Sequence, residues 1–98
     1  MRITNKKILD AFTVKHTDTI NAVNKWVEII ENNDFNNHND LKAIFPAADY
    51  VGNSRYVFNI KGNKYRLVIF VVFISGLMQV RFCGTHPEYD KITDIKNL

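Results

Sequence analysis

The segment THPEYD, Thr85 to Asp90, places a histidine, a tyrosine and two carboxylates within six residues, just after the most apolar stretch of the chain. A second short stretch, KGNKYR, contributes Lys61, Lys64 and Arg66. Together these side chains match the demands of metal-free RNA cleavage. The 2′-hydroxyl must lose a proton and attack the adjacent phosphate, and the 5′-oxygen of the leaving nucleotide must gain one. Histidine, whose charge changes near neutrality, suits both transfers. Arginine presents a planar fork of donors to the crowded, negatively charged phosphorane. Lysine adds a point charge, and tyrosine can hydrogen-bond or stack on a base.

Each residue also has a plainer reading. His86, ahead of Pro87, could simply cap a helix, and Tyr89 could be a core residue with its hydroxyl at the surface. Glu88 and Asp90 fit compensation of a helix dipole, which is the preferred reading for Glu88. Arg66 is harder to explain away, because a charge within an apolar strand needs a partner or solvent. His16 and His38 lie in polar surroundings and read as exposed bystanders.

Two tight turns would bring the two segments together. RYVFNI (Arg55 to Ile60) alternates as a strand, a Gly62–Asn63 turn follows, and YRLVIFVVFI (Tyr65 to Ile74) reads as the next strand. Ser75–Gly76 reads as a two-residue turn into LMQVRFCGTH. With those turns Asn59 faces Arg66, Ile74 faces Leu77, and Arg66 faces Thr85. One sheet face then collects Tyr56, Phe58, Ile60, Tyr65, Leu67, Ile69, Val71, Phe73, Met78, Val80 and Phe82. The other collects Arg55, Val57, Asn59, Arg66, Val68, Phe70, Gln79, Arg81, Cys83 and Thr85, with three arginines and no acid. Lys61, Lys64, Asn59, Arg66, Thr85 and His86 should cluster at one end of this sheet. Tyr89 and Asp90 should join them from the next helical turn. Arg55, Phe70 and Arg81 on the polar face could hold RNA by charge and stacking.

The remaining elements are helical. A short strand is possible at Met1 to Thr4. Thr4 or Asn5 could cap a helix carrying Ile8, Leu9 and Phe12. Thr17 or Asp18 could cap a longer one reaching about Glu31, with Ile20, Val23, Val27 and Ile30 on one face and Trp26 and Ile29 widening it. NNDFNNHND reads as a polar loop, and DLKAIFP as one or two helical turns stopped by Pro46. PEYDKI begins a last helix with Pro87 at its first position. The expected fold class is α+β, with N-terminal helices on one face of an antiparallel meander and a short C-terminal helix.

Bulk properties narrow the function classes. A chain of 98 residues with 46% hydrophobic content fits one small domain spanning residues 1–98. Cys83 stands alone, so the chain cannot form an internal disulfide or a cysteine-based zinc site. Three histidines without ligand spacing add no metal site, and neither a Gly-rich phosphate loop nor a nucleophile elbow is present. No cofactor is expected. The start MRITNKKILDAF has no apolar signal-peptide core, and the run LVIFVVFI is too short to span a membrane as a helix. The charge is uneven. Residues 1–49 hold six basic and seven acidic side chains, 50–87 five basic and no acidic, and 88–98 two basic and three acidic. The basic middle fits an anion-binding surface, or equally ordinary solubilising charge on strand edges.

LKAIFPAADYV, YVFNIKGNKYRLV and THPEYDKI, in this order and spacing, resemble the HigB family of toxins from bacterial type II toxin–antitoxin systems. The resemblance covers roughly Leu41 to Ile92. It implies a RelE-like fold and a ribosome-dependent mRNA endonuclease that stops translation in the cytoplasm. It also implies a HigA-type helix-turn-helix antitoxin that neutralises the toxin, the pair repressing its own operon by binding operator DNA through the antitoxin. The matching positions are Lys61, Lys64, Arg66, His86 and Tyr89. By this resemblance His86 transfers protons, Arg66 meets the scissile phosphate, and Lys61 and Lys64 hold neighbouring phosphates. Tyr89 orients a base or hydroxyl, and Asp90 orients another side chain. Arg55, Arg81, Asn59 and Thr85 complete the expected RNA contacts. The competing reading is a non-catalytic module that binds RNA or antitoxin, acting mainly in operon autoregulation.

Overall fold

Alternating apolar residues in the second half of the chain build the sheet, and the amphipathic helices of the first half cover one side of it. A computed structural model describes residues 1–98. In chain order the elements are β1 (Arg2–Thr4), α1 (Lys7–Lys15), α2 (Ile20–Glu31), α3 (His38–Ile44), β2 (Asp49–Gly52), β3 (Arg55–Ile60), β4 (Tyr65–Val72), β5 (Leu77–Thr85) and α4 (His86–Asp90). Single 3₁₀ turns lie at Thr17–Thr19, Phe73–Ser75 and Ile95–Asn97. The five strands are ordered β1-β5-β4-β3-β2. β1 runs parallel to β5, and every other pairing is antiparallel. This is the expected α+β architecture, enlarged by β2. The segment DYVG that forms β2 is too short and too polar to stand out by alternation.

The core lies between the helices and one sheet face. Leu9 and Phe12 of α1, Val23, Trp26 and Ile30 of α2, and Leu41 of α3 pack onto Phe58, Leu67, Ile69, Met78 and Val80. Trp26 meets Phe58 edge-on at 5.5 Å, and Phe45 does the same at 5.1 Å. Ile20, expected on the apolar face of α2, is 42% exposed, because the helix begins there and Thr19 is buried instead. Neither Thr4 nor Asn5 caps α1. Asn5 takes a positive φ, and its side-chain amide crosses to the carbonyl of Val80 at 2.8 Å. α3 starts earlier than expected, at His38, because Asn37 caps it by accepting from the Asp40 N–H at 2.9 Å.

The register holds at the first hairpin and changes at the second. Asn59 pairs with Arg66 as expected. The β4–β5 connection is not a Ser75–Gly76 turn. Phe73 to Gly76 form it, with Gly76 at φ 64, so Val72 pairs with Leu77. A bulge at Arg81 then shifts the pairing by one residue: Ile69 faces Val80, whereas Val68 faces Phe82. Beyond the bulge the faces are exchanged relative to expectation. Cys83 and Thr85 share the helix-covered face with Leu67 and Tyr65, while Phe82 and Gly84 share the other face with Val68 and Arg66. Cys83 accordingly packs against the core, not on the polar face. Burial pushes its thiol up to about 12. Cys83 should therefore resist a thiol-reactive disulfide at pH 8 in the folded protein and react once urea unfolds it. An unfolded cysteine titrates near pH 8.5, so the folded state loses stability as the pH rises from there towards the folded value.

Candidate active site

The two segments that suggested phosphate chemistry meet at one corner of the sheet. The β3–β4 hairpin turns through Lys61 to Lys64, and the Lys64 N–H donates to the Lys61 carbonyl at 3.3 Å. β5 ends beside the start of β4, where Thr85 pairs with Tyr65. The backbone N–H of His86 then donates to the Lys64 carbonyl at 3.1 Å. This bond ties the first residue of α4 directly to the basic hairpin.

The local sequence fixes α4 where it begins. Thr85 Oγ1 accepts from the Glu88 N–H at 3.2 Å, and the Thr85 N–H donates to Glu88 Oε1 at 2.9 Å. This reciprocal capping box gives Glu88 a structural task beyond dipole compensation, and its carboxyl is lowered first by those bonds to Thr85. The spacing Thr-x-x-Glu before a helix is the signal that identifies such a box. Thr85 Oγ1 is thus engaged as a cap, with its own O–H still able to donate. Gly84, opposite Arg66, lets α4 approach: a Cβ there would stand 2.7 Å from the Phe82 ring and 3.0 Å from Glu88 Oε1.

One helical turn sets the next contact. His86 Nδ1 lies 2.8 Å from Asp90 Oδ2, with both side chains about half exposed. A carboxylate only accepts, so Nδ1 carries the hydrogen and Nε2 is left free for exchange with a substrate. Tyr89 projects over the sheet, its ring centre 6.0 Å from the Arg66 guanidinium carbon. Burial pushes the Tyr89 phenol up, Arg66 opposes that, and Asp49 and Asp90 add to it. Tyr89 therefore stays a neutral donor that can orient a hydroxyl or a base.

Arg66 is half-buried and has no carboxylate partner. It donates to the carbonyls of Asn63 at 3.1 Å and Tyr65 at 3.3 Å. Lys61 is exposed, at φ 55, and forms no ion pair. Asn59, also exposed, stands across from Arg66. Lys64 differs. Its ammonium meets Asp18 Oδ2 at 3.2 Å, and the Tyr65 hydroxyl donates to the same carboxylate at 3.1 Å.

Asp18 is the residue that sequence reasoning missed. It suggested a helix cap but makes no side-chain cap, and its partners lie 46 and 47 positions away, a separation no local pattern reveals. Desolvation, the largest single influence, raises its carboxyl, but the Lys64 and Tyr65 hydrogen bonds and the Lys64 charge together outweigh it and lower it. Lys64 is raised, chiefly by its bond to Asp18. The Asp18 contribution to stability is thus present above the ordinary aspartate range and fades as the pH falls through the depressed value. A carboxyl NMR titration should place Asp18 below that range in the parent protein and return it upward in Lys64→Met. An unmoved midpoint would contradict the pairing.

The other predicted positions lie elsewhere. Arg55 is only 8% exposed and donates to the carbonyls of Asn53 and Leu98, each at 2.9 Å. Arg81, at the bulge, donates to the same Leu98 oxygen at 3.3 Å. Their guanidinium carbons lie 4.6 and 5.0 Å from the Phe70 ring centre. The polar sheet face at this end is therefore no open RNA platform. The segment after Ile92 folds back over it, with Asn53 bonding Lys96 and Asn97. The hydrogen bonds linking Lys96, Asn97 and Leu98 to the sheet reach Asn53, Arg55 and Arg81. His38 is exposed as expected and His16 is half-buried, but both rings have close neighbours. The His16 ring lies 5.0 Å from both Phe12 and Tyr65. His38 Nδ1 lies 2.6 Å from the Tyr56 hydroxyl, whose burial raises its pKa and keeps it a donor.

A helix-backed sheet of this order, with a basic hairpin and a short C-terminal helix at one corner, is a RelE-like fold. The chain belongs to the HigB toxin family, described as the RelE-like toxic component of a toxin–antitoxin system, whose family model matches residues 19–92. It is 26% identical over 95 residues to the mRNA interferase HigB of Escherichia coli O6:H1 (strain CFT073), covering 95% of this chain and 92% of that protein. It is 41% identical over 64 residues to the mRNA interferase toxin HigB of Escherichia coli K12, covering 62% of this chain and 61% of that one. The mRNA interferase HigB of Shigella flexneri matches over the same shares. An antitoxin partner follows from the family. No helix is long and apolar enough to cross a membrane.

Proposed function

We propose that this toxin is a ribosome-dependent endoribonuclease that cuts mRNA without a metal ion and so stops translation in the cytoplasm. The observation that carries the proposal is the pair His86–Asp90, 2.8 Å apart, tied by the His86 backbone to Lys64 and flanked by Arg66 and Tyr89. His86 Nε2 takes the 2′-hydroxyl proton as that oxygen attacks the phosphorus. Arg66 and Lys64 stabilise the phosphorane, Lys61 and Asn59 hold flanking nucleotides, and Tyr89 orients a base or hydroxyl. The bond to the 5′-oxygen breaks, and the protonated imidazole or a water supplies its proton. Asp90 holds the ring through Nδ1 and is a positioning residue. The relatives named mRNA interferases support the same substrate.

A HigA-type helix-turn-helix antitoxin neutralises the toxin, and operator DNA is reached only through that antitoxin. A purely RNA-binding or antitoxin-binding module would use the same cations but has no use for an oriented imidazole. Purified toxin added to mRNA on programmed ribosomes should cut within the A-site codon, while the same RNA without ribosomes stays intact. Equal cutting of free RNA would contradict ribosome dependence, and intact RNA in both mixtures would contradict the nuclease reading.

A further inference from the structure

A groove of about 310 Å³ lies between α2, the α3–β2 connection and the end of β3. Ala22, Trp26, Ile29, Ile44, Phe45 and Phe58 make most of its apolar lining. Ile44, 49% exposed, stands at the rim of the groove and extends its apolar surface outward. The polar side chains at the groove are Lys25, Lys61 and Asn59, with no acid among the lining residues. Trp26 is 4% exposed, yet its indole N–H has no hydrogen-bond acceptor.

We propose that this groove seats a segment of the antitoxin in which apolar side chains are flanked by carboxylates. The apolar walls take the side chains, and Lys25 and Lys61 meet the carboxylates. The proposal rests on the toxin reading and adds a route to neutralisation. Lys61 belongs both to this groove and to the basic hairpin. A carboxylate bound to Lys61 removes one phosphate contact from the RNA corner without covering His86.

Trp26 is the one tryptophan of the chain, so its fluorescence reports occupancy directly. Titrating the full-length toxin with the antitoxin encoded beside it, any tryptophan there replaced by phenylalanine, should shift Trp26 emission on binding. The variants Lys25→Glu and Lys25→Glu/Ile44→Asp change exposed positions and should keep the parental melting temperature. The double variant should bind the antitoxin at least about tenfold more weakly. It should still arrest growth alone and should escape neutralisation on co-expression. Unchanged affinity with an unmoved Trp26 spectrum overturns the proposal. Unchanged antitoxin affinity with weakened ribosome binding overturns it in favour of an RNA occupant. If the parent toxin itself fails to arrest growth, the nuclease reading falls, while the affinity change still decides the groove.

Discussion

His86→Gln should slow mRNA cleavage by about 10²- to 10⁴-fold, the usual worth of a positioned general acid–base group. Glutamine is the informative replacement because it keeps most of what His86 does structurally. The backbone N–H that donates to the Lys64 carbonyl is unchanged. The side-chain amide can still donate towards Asp90, now 2.8 Å from Nδ1. The capping box of Thr85 and Glu88 does not involve this side chain. What disappears is a nitrogen that can take up and release a proton. The variant should therefore fold, melt near the parent temperature and bind antitoxin with parental affinity, yet fail to arrest growth. Undiminished cleavage would remove His86 from the chemistry. Tyr89→Phe should cost less, because the raised phenol serves as an orienting donor and not as the base.

Arg66→Ala should cost about 10²- to 10³-fold in cleavage rate, comparable to the loss of a preorganised oxyanion donor. The native guanidinium is steered by two carbonyls, those of Asn63 and Tyr65, and no carboxylate neutralises it. Its charge is consequently free to act on a phosphate. Arg66→Lys should recover only part of the loss, since an ammonium cannot present the fork. Because the side chain is half-buried and makes no buried ion pair, stability should change by no more than about 0.5 kcal/mol. A large fall in melting temperature would show that Arg66 mainly holds the hairpin. Lys64 should be less sensitive, because Asp18 already shares its charge.

Much of this corner was legible in the sequence because it depends on one short hairpin. Gly62–Asn63 between two alternating runs sets Asn59 opposite Arg66, and the structure keeps that pair. The second hairpin departs from the sequence expectation at two points. Phe73 to Ser75 continue the apolar run but form a 3₁₀ turn, and the bulge at Arg81 leaves no compositional mark. The longer connection moves the register by an even number of residues, so faces are kept up to Val80. The bulge moves it back by one, so faces invert beyond it. The two departures partly cancel: Arg66 opposes Gly84, one residue from the expected Thr85. Proximity at the corner therefore survives while Cys83 and Phe82 exchange sides. Arg55 and Arg81 sit in a more covered setting than their charges alone suggest. Their charges read as a free basic face, but the chain after Ile92 returns to cover it.

The chemistry of the cut RNA ends tests the central claim most directly. Programmed ribosomes treated with the toxin in EDTA should yield fragments whose mass shows a 5′-hydroxyl on one side of the cut. The other side should carry a 2′,3′-cyclic phosphate or its 3′-phosphate hydrolysis product. Those ends require attack by the 2′-hydroxyl, the step assigned to His86 and Arg66. A 5′-phosphate paired with a 3′-hydroxyl, or cleavage abolished by EDTA, would mean that a metal-bound water attacks instead and would contradict the account.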